Sequence, residues 1–368
     1  MMSFLEHMKE VPGHRAAGRL IYPLNEVLLA TLVGVLRGAD DWDAMELSSR
    51  EYLPWLNRFL PFKCGVPRAR TFRKVFRLLP PKGPEERFAA WVSSLREVVR
   101  GVLVAIDGKT LRGSKKSVDG SGALHLLSAY ACEAGLVIGQ RAVDGKSTEI
   151  KAIPELLGML AINGAIVSID AVGTQKAIAA KITEKEADYV LALKGNQSAL
   201  HDDVKRFFGD VELARSCDLH KTTGTGHGRI EERTCRATDV IDWLKERHPH
   251  WQNMHGIAAI TSTRIDKKTR QTSVETRFHI TSLAAGPAAI LAATRAHWGI
   301  ENNLHWQLDI TFDEDRCRTR KDFSPLNLAI VRHIVFHILK KDKSNLSLKR
   351  NRLKASVNPS FRTALLTS

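Results

Sequence analysis

Three acidic residues lie in contexts that could do chemistry together. The apolar segments VLVAID and AIVSID end in Asp107 and Asp170, and Glu301 follows the segment AHWGI. Two nearby carboxylates repel each other, and each raises the pKa of the other unless a cation lies between them. Magnesium prefers oxygen ligands and is usually held by one or two carboxylates together with substrate phosphates. The chemistry that this set favours is phosphoryl transfer assisted by two metal ions.

The first two acids each end a predicted β-strand, GVLVAID (101–107) and GAIVSID (164–170). Side by side in one sheet, these strands would bring Asp107 and Asp170 to neighbouring strand ends, where α/β sheets bind ligands. Each acid also has an ordinary structural explanation. Asp-Gly-Lys is a common hairpin turn, and Asp170 could end a strand or cap a helix. The matching contexts of the two segments favour the functional interpretation.

Glu301 belongs to a helical pattern that runs from Pro287 to about residue 308. Residues at spacings of three, four and seven share its face: Thr294, His297, Trp298, Leu304, His305 and Leu308. An ionised Glu on this apolar and aromatic face would need a partner, and a shared metal is one. Asp309 is the rival carboxylate, because it lies partly on the same face. The acids after the helix are interpreted as a solvated turn: Asp313, Glu314 and Asp315.

The remaining pattern divides the chain into a mostly helical part (1–95), a mixed α/β part (96–340) and a basic tail without clear fold (341–368). In the second part the predicted order β-β-β-α-β-α-β indicates a mixed sheet with helices on its faces. Its first helix is expected to be capped by Ser147 or Thr148. The polar segment from about 200 to 286 is predicted to be a β-rich insertion subdomain, with hairpin strands around Lys-Lys-Thr-Arg.

The charge balance indicates a polyanionic partner. The chain has 55 Lys and Arg against 40 Asp and Glu, a net charge of +15, and such a field attracts phosphate backbones. A basic surface that only maintains solubility is the alternative. Five dispersed cysteines without a Cys-x-x-Cys pair argue against a zinc knuckle or a disulfide framework. With no signal peptide and no apolar stretch of roughly 20 residues, we predict a cytoplasmic protein without a membrane partner.

Six segments in order resemble the H-repeat-associated group of insertion-sequence transposases, which belongs to the DDE superfamily. These segments are AIDGKTLRGS, KSTEIKAIPELL, SIDAVGTQKAIAAKI, DYVLALKGNQ, HGRIEER and HWGIENNLHWQLDITFDEDRCR. The N-terminal segments YPLNEVLLATLVGVLRGADDWDAM and GVPRARTFRKVF resemble the helical domain that precedes the catalytic core in that group. The resemblance implies a ribonuclease-H-like α/β core, in which Asp107, Asp170 and Glu301 are the catalytic acids and metal ligands.

The implied activity is cleavage and strand transfer of DNA that depends on two Mg²⁺ ions, for which Mn²⁺ could substitute. The implied partners are transposon terminal repeats and target DNA, bound by a homodimer. Two other functions remain open at this point: a nuclease that cuts without joining, and an inactive DNA-binding remnant.

The DNA contacts of this chain are expected to differ from those of related transposases. The resemblance implies a Tyr, an Arg and a Lys around the Glu, but Thr294, His297 and Leu308 occupy those positions. Trp298 could stack on a flipped base or pack in the core, and Arg295 is a further candidate. Predicted DNA contacts, which could instead be solvated turn residues, are Lys109, Arg112, Lys194, Asn196, Trp298, Arg316, Arg318, Arg320 and Lys321.

Overall fold

The computed structural model describes residues 21–94, 101–115, 122–143, 149–226, 228–284, 286–342 and 344–367. The strands are β1 (Leu103–Thr110), β2 (His125–Ala131), β3 (Leu136–Val143), β4 (Ile166–Ile169), β5 (Asp188–Leu193), β6 (Asp218–Gly226), β7 (Arg229–Thr238), β8 (Gly256–Asp266) and β9 (Thr272–Thr281). They form one sheet in the order β3-β2-β1-β4-β5-β9-β8-β7-β6.

The helices before the sheet are α1 (Leu24–Arg37), α2 (Trp42–Glu51), α3 (Leu53–Leu56), α4 (Ala69–Leu78) and α5 (Lys82–Ser94). Those within the sheet region are α6 (Glu149–Met159), α7 (Lys176–Glu184), α8 (Ser198–Gly209), α9 (Val211–Ser216) and α10 (Asp242–Arg247). The last are α11 (Pro287–His297), α12 (Trp306–Phe312), α13 (Ser324–Lys340), α14 (Leu348–Val357) and α15 (Pro359–Thr367). The predicted cap of α6, Ser147 or Thr148, lies outside the described residues.

The first five strands form the mixed sheet that the sequence pattern predicts and the ribonuclease-H-like core that the resemblance implies. Strands β1, β2 and β3 are antiparallel neighbours, whereas β4 and β5 run parallel to β1 on its other side. Parallel neighbours need crossover connections, which α6 and α7 provide. The central strand β1 is apolar from Leu103 to Ile106 and fully buried there, as expected for a strand covered on both faces. The predicted α/β fold class is therefore confirmed.

The predicted β-rich insertion is part of the core sheet and not a separate subdomain. Strands β6 to β9 continue the core sheet, because β9 pairs antiparallel with β5, with Val190 opposite Thr281. The predicted hairpin around Lys-Lys-Thr-Arg is confirmed as the β8–β9 connection. Pairing of β9 with β5 satisfies the backbone groups that the edge of the core sheet would otherwise expose.

The N-terminal helices share one core with the sheet and the late helices. Helix α1 is apolar on nearly all sides and is buried from Glu26 to Leu36, as expected for a helix surrounded by protein. It packs against α13, whose residues from Ser324 to Leu339 are buried, and against α14. One hydrophobic cluster joins these helices to the sheet. None of the helices in the described ranges is long and apolar enough to cross a membrane.

The prediction of a basic tail without clear fold is wrong for the described residues after 340. Helices α14 and α15 occupy this region, and their apolar residues Leu348, Ala355 and Leu365 are buried. Two basic residues of these helices are buried as well. Arg362 is fully buried and lies over the rings of Tyr52 and Trp55. The sequence looked like a tail because its few apolar residues are separated by many charges.

We expect Arg352→Ala to reduce the free energy of unfolding by about 3 kcal/mol. The buried guanidinium of Arg352 donates hydrogen bonds to the carbonyl oxygens of Val35 (2.9 Å) and Thr311, and to Asp40 (3.0 Å). Its loss would leave buried carbonyl oxygens without donors. Denaturant unfolding of both variants would measure the effect, with the exposed Arg350 on the same helix changed to Ala as the control. Equal stability of the two variants would contradict this prediction.

Candidate active site

Asp107 and Asp170 occupy equivalent positions on neighbouring parallel strands. Strands β1 and β4 are in register with Ile106 opposite Ile169, and each acid is the next residue along its strand. Asp107 is not at a hairpin turn, because β1 continues beyond it and Asp107 lies opposite Ser128 of β2. The ordinary explanation of Asp-Gly-Lys as a turn is therefore wrong, and the predicted neighbouring placement of the two acids is confirmed.

Gly108 lets β1 pass close to a buried polar pair. His125 of β2 and Glu149 of α6 are hydrogen-bonded to each other and buried directly beside this glycine. A Cβ atom at position 108 would collide with both of these side chains. The absence of a side chain at Gly108 thus lets the His125–Glu149 pair lie against β1 immediately after Asp107.

Glu301 begins a π-helical turn, Glu301–His305, that joins α11 to α12. Such turns insert an extra residue into a helix and frequently occur at functional sites. The turn places Glu301 and His305 side by side, with Oε2 of Glu301 and Nδ1 of His305 3.0 Å apart. The same nitrogen lies 3.6 Å from Oδ2 of Asp107. Through His305, Glu301 therefore lies next to Asp107 of the central strand β1.

One pocket of about 370 Å³ is lined by all three predicted acids, Asp107, Asp170 and Glu301. Their carboxylates are not equally close, however. Ligand atoms of Asp107, Glu301 and His305 all lie within 4.8 Å of one another, and Asp170 is outside this set. One carboxylate oxygen of Asp170 accepts hydrogen bonds from the backbone N–H groups of Val172 (3.0 Å) and Gly173 (3.2 Å). The candidate metal centre thus contains a histidine that sequence reasoning treated only as part of a helix face.

The electrostatics of this centre are those of a site that needs a cation. Burial raises the pKa of Asp107 to about 6, against the opposing effect of His305, and the nearby charges of Glu301 and Asp170 raise it further. Glu301 is more exposed, and its hydrogen bond with His305 lowers its pKa. A divalent cation between these groups would offset both the burial and the mutual repulsion of the carboxylates. Two carboxylate donors that face each other therefore fit the predicted divalent metal.

Lys109 has a different role from the predicted phosphate contact. Its side chain is only 11% exposed, and its ammonium group pairs with Asp309, with Glu314 at 3.3 Å and with Asp315 at 3.7 Å. These three carboxylates hold the Lys109 charge inside the protein and away from a DNA backbone. The same contacts also separate Asp309 from the candidate metal centre, since Asp309 faces Lys109 and Glu301 faces Asp107.

The interpretation of residues 313–315 as a solvated turn is correct only in part. The side chain of Asp313 is 51% exposed, but that of Glu314 is 1% exposed. Glu314 lies between two buried cations, Lys109 and Arg332, the latter at 3.7 Å. Burial of a carboxylate is tolerated when it is paired in this way. Glu314 and Asp315 after α12 therefore hold the last part of β1 in place through their ion pairs with Lys109.

The other predicted DNA contacts lie mostly at the surface. Arg112, Lys194, Arg316, Arg318 and Lys321 are exposed, and Lys194 also lines the pocket of the three acids. Two side chains donate to the protein instead: Asn196 to the carbonyl oxygen of Ala171 (2.7 Å) and Arg320 to that of Gly113 (2.9 Å). Asn196 thus orders a loop beside the pocket, since Ala171 lines it, and Arg320 joins two loops outside the pocket lining.

Trp298 is not a core residue, because 48% of it is exposed. The guanidinium of Arg277 lies 5.3 Å from its ring centre. The ring lines the pocket of the three acids and also a second, polar pocket of about 680 Å³. The exposed face of Trp298 therefore connects the two pockets.

The second pocket contains the candidate Arg295 together with four arginines that sequence reasoning did not single out: Arg229, Arg233, Arg264 and Arg277. Burial lowers the pKa of Arg233, and Glu231 opposes this shift. The neighbouring charges of Arg295 and Arg264 lower the pKa further. In strands the side chains alternate between faces, so Arg229 and Arg233 of β7 share one face. That alternation is the signal that could have identified them. The extended sheet thus presents a basic surface next to the acids.

Comparisons with known proteins identify the family of this chain. Residues 100–334 match the family model described as Transposase DDE domain, and residues 5–92 match the model described as DDE_Tnp_1-associated. The "Putative transposase YncI" of Escherichia coli O157:H7 is 33% identical over all of this chain and 95% of its own length. The "H repeat-associated putative transposase YhhI" of Escherichia coli K12 is 33% identical over all of this chain and 98% of its own length.

Among solved structures, the piggyBac transposase synaptic complex with hairpin DNA aligns with a TM-score of 0.45 and 12% identity. The alignment covers 98% of this chain and 78% of that one. The family models and the full-length relatives are the findings that decide the family. This chain belongs to the DDE transposase family and, within it, to the H-repeat-associated group of insertion-sequence transposases.

Proposed function

We propose that this protein cleaves DNA at the ends of an insertion sequence and joins the freed ends to target DNA, with divalent metal ions as cofactors. The observation that carries the proposal is the placement of Asp107 and Glu301, whose carboxylates face each other around His305 while Asp170 lines the same pocket. The membership of the chain in the DDE transposase family supports it.

The carboxylates would act by holding the cations and the phosphate group in one place. Asp107 and Glu301 provide two negatively charged donors that face each other, and Asp170 provides a third at the equivalent position of the next strand. Bound Mg²⁺ ions, or Mn²⁺ in their place, would activate the attacking hydroxyl and stabilise the departing oxygen. Asp107 and Glu301 would hold one ion, and Asp170, which lines the same pocket, would contribute to a second.

The basic residues around the pocket would position the DNA backbone. Lys194 lies in the pocket of the acids, and the arginines of β7, β8, β9 and α11 continue the positive surface past Trp298. Contacts with phosphates fix the register of DNA without reading its sequence. Stacking of a base on the exposed ring of Trp298 would add about 1–3 kcal/mol. The DNA end would then enter over Trp298 and place its terminal phosphate among the acids.

The reaction joins two ends of one element, so two active sites must act together. A homodimer on DNA is the simplest assembly that provides them. The partners of the protein are accordingly the terminal repeats of the element and the target DNA.

The test is an incubation of the protein with labelled end sequences of its element, a target plasmid and Mg²⁺. We expect nicks at the ends followed by joined products, and neither in EDTA. Nicks without joined products would favour a nuclease. Binding of the ends without any cut would favour an inactive DNA-binding remnant.

A further inference from the structure

His305 is the one member of the candidate metal centre that is almost completely buried. It is 5% exposed, whereas the side chains of Asp107 and Glu301 are 28% and 58% exposed. Its Nδ1 atom is directed at both carboxylates. The spacing of four residues puts His305 on the same helical face as Glu301, and both residues lie in the π-helical turn.

The distances around His305 are those between ligands of a common ion. Ligands about 2.1 Å from a six-coordinate ion are about 3.0 Å apart when adjacent and about 4.2 Å apart when opposite. Nδ1 of His305 lies 3.0 Å from Oε2 of Glu301 and 3.6 Å from Oδ2 of Asp107. Both separations fall within this range. The carboxylate oxygens of Asp107 and Glu301 lie within 4.8 Å of each other, so one cation could bind all three groups after a small movement of the carboxylates.

The two ring nitrogens of His305 have different surroundings. Nδ1 donates a hydrogen bond to Oε2 of Glu301, because an ionised carboxylate can only accept one, so the ring proton lies on Nδ1 in the absence of a cation. Nε2 is buried and has no hydrogen-bond partner among the described residues. A cation that binds Nδ1 can displace its proton without breaking a hydrogen bond on the far side of the ring.

We propose that Nδ1 of His305 is a third protein donor to the cation bound by Asp107 and Glu301, and that this donor set favours Mn²⁺ over Mg²⁺. The inference rests on the proposed function, since it concerns the same metal centre. Mg²⁺ is a hard ion that takes oxygen ligands, whereas transition-metal ions accept imidazole nitrogen more readily. A site with two carboxylates and one imidazole therefore discriminates between the two ions.

The direct test is electron spin-echo spectroscopy of Mn²⁺ bound to the full-length protein without DNA. We expect modulation from one directly coordinated ¹⁴N nucleus in the wild type. His305→Gln should lose that modulation and bind Mn²⁺ at least about 10-fold more weakly, with Mg²⁺ affinity changed by less than about 3-fold. His297→Gln is the matched control, because His297 lines the same pocket but lies 2.9 Å from the hydroxyl of Ser168.

Two results would overturn the proposal: no ¹⁴N modulation in the wild type, or modulation that persists in His305→Gln. The wild-type measurement alone is decisive if the variant does not fold. Asp107→Asn separates this inference from the proposed function. If Mn²⁺ binds, needs Asp107 and shows no nitrogen coupling, only the role of His305 is wrong. If Mn²⁺ binding does not depend on Asp107, the metal centre of the proposed function is wrong.

Discussion

Replacing Asp107 by Asn is expected to slow DNA cleavage by at least about 10³-fold and to leave DNA binding intact. Metal ions contribute several kcal/mol to transition states of this kind, and about 4 kcal/mol corresponds to 10³-fold in rate. Asn has the shape of Asp but not its charge, so it cannot offset the charge of a cation. Asp107 lies on the central strand and directly faces the other donors, so its loss cannot be replaced by a neighbour.

The measurement is the rate of nicking of labelled element ends in Mg²⁺, beside a titration of the same DNA in the absence of metal. Asp202→Asn provides the control, because this carboxylate is 60% exposed on α8 and lies outside the acid-lined pocket. A cleavage rate for Asp107→Asn within about 10-fold of the wild type would exclude Asp107 as a metal ligand. Loss of DNA binding would instead show that the substitution disturbs the fold.

The placement of Asp107 and Asp170 could be predicted because it depends on local pattern and one topological rule. Two apolar strands that end in the same residue type, joined by a helical segment, are expected to run parallel and to bring their ends together. The register of Ile106 with Ile169 confirms the neighbouring placement. The predicted strand end at Asp107 is wrong, because β1 continues to Thr110, whereas β4 ends at Ile169, directly before Asp170. Glu301 could be predicted as a helix residue that needs a charged partner on an apolar face, and a metal shared with Asp107 and Asp170 is such a partner independently of the family resemblance.

The face shared by His305 and Glu301 follows from their spacing, but the contact of His305 with Asp107 and the backbone irregularity at this point could not be predicted. The sequence suggests a regular helix through residue 308, whereas a π-helical turn interrupts it at Glu301–His305. Periodicity rules assume 3.6 residues per turn and do not indicate where an extra residue enters. Only the resulting contact with Asp107 distinguishes His305 from an ordinary buried histidine.

The contacts of Lys109 and Arg352 could not be predicted from the sequence for a different reason. Each of these buried cations pairs with residues far away in the chain, Lys109 with Asp309 and Arg352 with Asp40. Charge patterns identify partners that are three or four residues apart in a helix, but they give no information on pairs formed by tertiary packing. Charged residues are also seldom buried unless paired, so exposure was the natural expectation for both.

The contrast between Glu301 and Asp309 gives the second large expected effect. Glu301→Gln should slow cleavage by about 10³-fold, since it removes one of the charged donors next to Asp107. Asp309→Asn should slow it by less than about 10-fold, because Asp309 is paired with Lys109 and is not among the donor atoms that meet around Asp107. Both substitutions replace a carboxylate by an amide of the same shape, so each is the matched control of the other.

Asp309→Asn should instead lower the free energy of unfolding. Lys109 would keep Glu314 and Asp315 as partners, so the expected loss is about 1 kcal/mol or less in the free energy of unfolding. Nicking rates and denaturant unfolding of the two variants separate the two roles. Equal losses of cleavage in Glu301→Gln and Asp309→Asn would mean that the buried ion pairs around Lys109 position Asp107 for the reaction. A loss confined to Asp309→Asn would make Asp309 the third acid and remove Glu301 from the metal centre.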